Sequence, residues 1–427
     1  MDMLQPENEI LAIAAILSPA HIGDWIDKRL VAGCVWERKA SEKETKQDGK
    51  STKAQSQPAE LFATGGSAGS LLSDYRPTGK IISQPGMLPF PLAELSMMSQ
   101  RSKITDPTHL NPFRHKDYEG ISQNIYTADF PLNVNHPEFG HRYSSPKIGM
   151  AFQQSRNIYG SYFGNMRKPG RDWERGKNHG NCAVSKAVGL RTGIAQKSNL
   201  KLVPTLDGGR TITWALASWE TMIREMRRDK NNLKKQGKVF VPVVFFNNGF
   251  SQYGAVVIAL VRKYIRAMVR LNAFIAIAAG NFNPASRGGK SRPVVDHWPA
   301  LFAAEKEFEA NMLIVGSTKL SGELSDFSMG GPLVKISAPG ETFNRRKDHV
   351  LGVWCADGED NEFVVTAGTS FTAPVVAAMA AYYLSIHPHL RDSKFGGQLV
   401  AEHLLKTAIT HCVNCPLVVY NGLDGKR

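Results

Sequence analysis

Cysteine is scarce in this chain. Its 427 residues carry five, Cys34, Cys182, Cys355, Cys412 and Cys415, too few and too irregularly spaced for a disulfide framework. Cys412 and Cys415 make a Cys-x-x-Cys step, but no second CxxC or HxxxH accompanies it. It therefore reads as a local disulfide or two plain thiols, not as a zinc site. The odd count favours a reducing compartment. Long apolar runs are also missing, and none approaches the ~18 residues of a membrane-spanning helix. Residues 10–17 are long enough for the core of a signal peptide. Their flank carries Asp2, Glu7 and Glu9, and no Lys or Arg occurs before Lys28, whereas a secretory leader is positive there. The run reads as a short amphipathic helix, and the sequence assigns no localisation.

Acidic side chains are outnumbered, 38 against 52 Lys and Arg, for a net charge of +14. The imbalance is local. Residues 1–115 hold 13 basic and 13 acidic side chains, residues 151–292 hold 25 and 6, and residues 293–427 hold 11 and 15. A basic face can attract nucleic acid, anionic lipid or acidic polypeptide. No base-reading motif or aromatic stacking pattern accompanies the charge, so no specific nucleic-acid partner is expected. A solvated basic surface is the plainer reading.

Residues 38–58 are charged and polar with almost nothing to bury, and they read as a linker. Residues 59–115 stay rich in Ser, Pro, Gly and Met without clear periodicity. From about residue 120 the texture changes. Apolar runs at 125–128, 200–206, 239–246, 273–278, 312–315 and 333–336 alternate with helical stretches at 181–190, 212–235, 255–271, 370–385 and 397–410. A further run, 363–366, precedes the helix at 370. Continuous apolar strands alternating with helices predict an α/β fold whose parallel sheet is covered on both faces. Sites in such folds form beyond the carboxyl ends of the strands.

Four polar residues fall at such places. Ser370 sits where a strand ends, Gly368 permits a tight turn and a small-residue helix begins; free N–H groups there stabilise an alkoxide and the oxyanion it creates. His179 opens a predicted helix after Gly176-Lys177-Asn178. Asp129 closes the strand at 125–128 and can orient an imidazole. Asn281 follows the strand at 273–278, and its amide can donate to an oxyanion. Taken singly, these are an ordinary N-cap, a loop histidine and two turn residues. Taken together, the order Asp, His, Ser is one known chain order of a hydrolytic triad.

Over about residues 120–410 the chain resembles the subtilisin-like serine peptidases, the subtilase family or peptidase S8. Gly368-Thr369-Ser370-Phe371-Thr372-Ala373-Pro374 is similar to the family's Gly-Thr-Ser-x-x-x-Pro signature, and Ala278-Ala279-Gly280-Asn281 to its oxyanion-hole segment. His179-Gly180-Asn181-Cys182-Ala183-Val184-Ser185 is similar to its histidine segment, in a style that resembles fungal members. Asp129 precedes His136-Pro137-Glu138-Phe139 by the family's spacing. Val315-Gly316-Ser317 and Ile336-Ser337-Ala338-Pro339-Gly340 match the approach to the serine.

The resemblance implies a three-layer subtilisin-like fold with a mainly parallel central sheet. It implies a serine endopeptidase with Ser370 as nucleophile, His179 as base and then acid, Asp129 orienting it, and Asn281 with the Ser370 N–H binding the oxyanion. Substrate would add as an extended strand between residues 208–213 and Asn247-Asn248-Gly249, so that Gly208, Gly209, Asn248 and Gly249 touch it. Polypeptides are the expected partners of a monomer that requires no cofactor. Calcium is common in the family, but no carboxylate cluster shows a ligand pattern; Asp357, Glu359, Asp360 and Glu362 read as a solvated acidic loop.

Departures from the family accompany the matches. Phe130-Pro131 follows the aspartate in place of Thr or Ser and Gly, Asn181 stands in the usual His-Gly-Thr, and Asn247-Asn248-Gly249 replaces Ser-Leu-Gly. They motivate an alternative, a weak or inactive subtilase fold that binds peptides. Cys182, three residues after His179, reads as a small buried residue or as a thiol near the triad. The expected organisation is a poorly ordered N-terminal extension or divergent prosegment over 1–115, a peptidase domain over 116–415 and a tail over 416–427.

Overall fold

The apolar runs become strands because their side chains alternate between two cores. In chain order the elements are β1 (Ile81–Gln84), α1 (Ala93–Met97), β2 (Phe113–Lys116), β3 (Asn124–Asp129), α2 (Arg171–Val188), β4 (Asn199–Pro204), α3 (Ile212–Lys235), β5 (Val243–Phe246), α4 (Ala255–Arg270), β6 (Phe274–Ala278), β7 (Met312–Lys319), β8 (Val334–Glu341), β9 (Val353–Ala356), β10 (Phe363–Thr366), α5 (Ala373–Ile386) and α6 (Gly396–Thr407). The computed structural model describes residues 77–84, 93–101, 111–130, 132–133, 136–139, 171–204, 212–251, 253–283, 291–341, 353–358 and 362–423. All lie within the unit Asp74–Arg427. The expected helix at 10–17, the linker at 38–58, Pro131, Gly208, Gly209, Glu359 and Asp360 lie outside the described residues.

Six strands form one parallel sheet in the order β4-β3-β5-β6-β7-β8. Period-two alternation splits each strand between its faces. Val243 and Phe245 of β5 join Phe274 and Ala276 of β6 in one core. Val244 and Phe246 join Ile275 and Ile277 in the other. The first core is closed by α2, α5 and α6, with Val184, Met379 and Val400 among the buried contacts. The second is closed by α3 and α4 through Trp219, Met222, Met226, Ile265 and Met268, at the spacing of one helical face.

The segment Thr369–Ile386 is long and apolar enough to cross a bilayer, but 89% of it is buried within the protein. Its apolar surface is spent on the sheet and on α2, as expected of a central helix that is hydrophobic all round.

The strand order places the site. After β3 the chain lays β4 on one side, then returns to lay β5 on the other. The order therefore reverses at β3 and β5, and a crevice opens beyond their carboxyl ends.

Three features differ from the sequence expectation. β9 and β10 pair antiparallel, as a hairpin separate from the main sheet. Helix α2 starts at Arg171, so His179 lies inside it and does not open it; Gly176 is carried in the helix, at a cost of only about 1 kcal/mol. Packed structure also extends beyond 116–415. Leu95, Met98 and Phe113 belong to the first core, and Val418, Val419 and Tyr420 are buried. Lys116 N–H donates to the Tyr382 hydroxyl at 3.0 Å, and Asn421 N–H to Met98 O at 3.0 Å.

Candidate active site

Asp129 is the last residue of β3, so its carboxylate clears the sheet edge while remaining fully buried. Burying a carboxylate demands strong donors. Oδ1 accepts from the Phe130 backbone N–H at 2.7 Å and from His179 Nδ1 at 2.9 Å. Oδ2 accepts from Asn247 Nδ2 at 2.8 Å. A carboxylate oxygen facing Nδ1 fixes the proton there, so neutral His179 presents Nε2 as an acceptor.

His179 reaches Asp129 because the next residue has no side chain. A Cβ on Gly180 would lie 2.5 Å from the Phe130 carbonyl oxygen. Asn181, the departure from His-Gly-Thr, anchors the helix. Its Oδ1 accepts from Asn133 N–H at 2.7 Å, and its Nδ2 donates to Asp357 O. Asn133 Nδ2 in turn donates to Gly358 O at 2.8 Å. The histidine helix, the segment after Asp129 and the β9–β10 turn are thus tied together.

Cys182 is not a thiol beside the triad. It forms a disulfide with Cys355 of β9, with Cα atoms 4.7 Å apart and a sequence separation of 173. Cys412 and Cys415 are also paired.

The His136-Pro137-Glu138-Phe139 run is a clamp beside the site. His136 Nδ1 accepts from Glu138 N–H at 3.1 Å, so Nε2 carries the proton donated to Glu362 O at 2.6 Å. Burial holds this imidazole below its usual range. Glu138 accepts from Arg191 N–H, Thr192 N–H and the Thr192 hydroxyl, closing the turn after α2.

Ser370 lies in a short 3-10 turn, Thr369–Phe371, just before α5. Gly368, with φ 155°, provides the bend into it. The Ser370 hydroxyl donates to the carbonyl of Asn247 at 3.5 Å. The ring of its neighbour Phe371 stands 5.5 Å from the His179 ring. Asn281 Oδ1 accepts from Thr369 N–H at 2.9 Å and from its hydroxyl at 3.1 Å. The Thr369 Oγ1 also accepts from Gly280 N–H at 3.1 Å. Fixing Oδ1 in this way turns the Asn281 amide nitrogen toward the other side, 3.5 Å from where a Cβ on Gly368 would stand.

The crevice thus gathers Asp129, His179, Ser370 and Asn281 around the ends of β3, β5 and β6. Asn248 and Gly249 continue from β5; a Cβ on Gly249 would fall 2.1 Å from His297 Nδ1. Sequence reasoning missed the side chain of Asn247 as a partner of Asp129, and Thr369 as the residue orienting Asn281. The only signal for Asn247 was its departure from Ser-Leu-Gly. Among the described residues, no group of three or more His, Cys, Asp or Glu side chains is disposed to hold a metal ion.

Comparison with known proteins gives the family. Residues 128–424 match the family model of the subtilases, Peptidase S8. Similar curated proteins include the subtilisin-like serine protease pepC of Aspergillus niger, 26% identical over 322 residues, covering 74% of this chain and 51% of that protein. The subtilase-type proteinase psp3 of Schizosaccharomyces pombe is 22% identical, covering 75% of this chain and 58% of that one. The subtilisin-like serine protease Pen c 2 of Penicillium citrinum is 25% identical, with coverage of 74% and 59%. This chain spans about half the length of the curated relatives it matches. A crystal structure of a cold-adapted subtilisin-like serine proteinase shares the fold, with a TM-score of 0.51 and 20% identity over 77% of this chain and 97% of that one. The chain belongs to the subtilase family.

Proposed function

We propose that this chain is a serine endopeptidase that hydrolyses peptide bonds through Asp129, His179 and Ser370, with Asn281 as oxyanion donor. The observation that carries the reading is the 2.9 Å bond between His179 Nδ1 and the buried carboxylate of Asp129, in the crevice that also holds Ser370. For attack, the Ser370 hydroxyl leaves Asn247 O and turns to His179 Nε2. It attacks the scissile carbonyl as Nε2 takes its proton, and Asp129 stabilises the imidazolium. Negative charge on the carbonyl oxygen is met by Asn281 Nδ2 and the Ser370 N–H. Collapse expels the amine, which takes the proton from His179. Water, activated by the same imidazole, then frees the acid product and restores the Ser370 hydroxyl. Substrate lies along residues 247–249 as an added strand, which demands little of its sequence. The scheme draws every group from one copy of the chain.

The family departures do not strip Asp129 of donors, because Phe130 supplies its N–H and Asn247 its amide. The test is labelling of the full chain with a fluorophosphonate serine-hydrolase probe. Labelling is expected in the wild type and absent in Ser370→Ala, and His179→Ala should slow it on the order of 10³-fold or more. A folded wild-type chain that takes no label would sink the reading in favour of a peptide-binding fold without turnover.

A further inference from the structure

We infer that Asn247 is a positioning residue for the Asp129–His179 pair, its side-chain amide moderating the charge of the carboxylate that holds the imidazole. The inference rests on the peptidase reading for its meaning, though not for its measurement.

The backbone dictates the encounter. β3 and β5 are adjacent, with Thr127 opposite Phe245. Two residues further along each strand, Asp129 and Asn247 stand level at the carboxyl ends, on the two sides of the crevice where the strand order reverses. Asn247 then does two things. Its carbonyl accepts from the Ser370 hydroxyl, and its Nδ2 donates to Asp129 Oδ2 at 2.8 Å. One residue thereby touches the nucleophile with its backbone and the acid with its side chain.

Charge sets which end of the amide faces Asp129. The reverse orientation would place two acceptors against each other. In the orientation found, Asn247 Oδ1 is buried and finds no donor among the described residues. An unmet buried acceptor is unfavourable, and it is tolerated where the other end of the group is needed. Phe130, after the aspartate, has no side-chain donor. Its backbone N–H shares Oδ1 with His179, while Asn247 serves Oδ2.

A neutral donor on Oδ2 draws negative charge away from the oxygen that faces His179. It therefore weakens the hold of the carboxylate on the imidazolium proton. Among the described residues, Asp129 from β3, Phe130 after it and Phe371 before α5 face His179. Of these, Asp129 carries the charge. Asp357, on the turn after β9, spends a carboxylate oxygen on Gly358 N–H.

The test is an NMR titration of the His179 imidazole in the full chain carrying Ser370→Ala, which prevents self-digestion, with and without Asn247→Leu. Leucine keeps the branched shape and excludes water but donates nothing. The midpoint is expected to rise by about one pH unit, and the acid limb of fluorophosphonate labelling in the Ser370 chain should rise with it. Asn247→Ala, which adds no bulk, carries the same test if Asn247→Leu does not fold. A midpoint unmoved within about 0.2 unit overturns the inference. A shifted midpoint in a chain whose wild type takes no label supports the inference and removes the peptidase reading instead.

Discussion

Lys186 and Glu94 form an ion pair at 2.9 Å with neither side chain in contact with solvent. Lys186 also donates to Trp354 O at 3.2 Å. It stands seven residues, about two turns, beyond His179 on α2, while Glu94 belongs to α1, ahead of the residues that match the family model. A segment outside the recognisable domain thus anchors the helix that carries His179, the proposed base. Glu94→Ala leaves a buried ammonium without its counter-charge and should destabilise the chain by about 3–5 kcal/mol, measured by urea unfolding. Glu94→Met with Lys186→Met should cost much less. If the single variant is as stable as the wild type, the pair does not anchor the helix.

The Cys182–Cys355 disulfide joins the first turn after His179 to β9. Closing so long a loop restricts the unfolded chain, an effect worth roughly 2–5 kcal/mol. A dithiol reductant should lower both the melting temperature and the rate of Ser370 labelling. The paired variant Cys182→Ser with Cys355→Ser should start lower and ignore the reductant. Equal reductant sensitivity in both chains would place the effect at another pair.

Thr369 orients the proposed oxyanion donor through two hydrogen bonds to Asn281 Oδ1. Only the hydroxyl bond is removable by mutation. Asn281→Leu should lower kcat on the order of 10²–10³-fold with little change in KM. Thr369→Val should lower kcat by about tenfold, since the backbone bond remains. A rise in KM at constant kcat would instead place Asn281 in ground-state substrate binding.

His403 carries a pH dependence. Burial first, and then His387, His389 and Lys406, push its pKa down from 6.5 to about 4. A depressed folded value means the unfolded chain binds the extra proton first as pH falls. The stability linked to His403 is therefore complete above about pH 6.5 and is lost progressively down to about pH 4. His387 and His136 are shifted in the same direction, mainly by burial. Melting temperatures measured from pH 7 to pH 4 should fall, and His403→Gln should flatten part of that fall. An unchanged slope in the variant would assign the acid sensitivity elsewhere.

Much of the scaffold was legible because continuous apolar runs have few alternatives. Helix α3 occupies the very span its periodicity predicts, and β5 to β8 follow from runs that only a sheet covered on both faces can bury. Asp129, Ser370 and Asn281 were legible as polar residues at strand or helix ends; His179 was legible as a candidate, but not its place inside α2. What escaped was everything that depends on strand order and register. No local pattern places Asn247 across from Asp129, or Cys182 beside Cys355. The hairpin of β9 and β10 is too short to declare whether it joins the main sheet. The basic surplus of residues 151–292 was legible, but not its partial neutralisation: Arg262 and Arg266 of α4 pair with Glu305 and Glu307 from the acidic stretch that follows.

The reversal of strand order at β3 and β5 has a consequence in time. Asp129 meets His179 across 50 residues and Asn247 across 118, and Ser370 meets Asn247 across 123. Contacts this distant in sequence form late, after the entropy of closing long loops has been met. No early fragment of the chain holds Asp129, His179 and Ser370 together. During synthesis α5 and Ser370 emerge after most of the sheet, so the proposed hydrolytic competence would be acquired only when the last central helix docks. A ribosome-bound or partly refolded chain should be inert, and competence should arrive as a single late step.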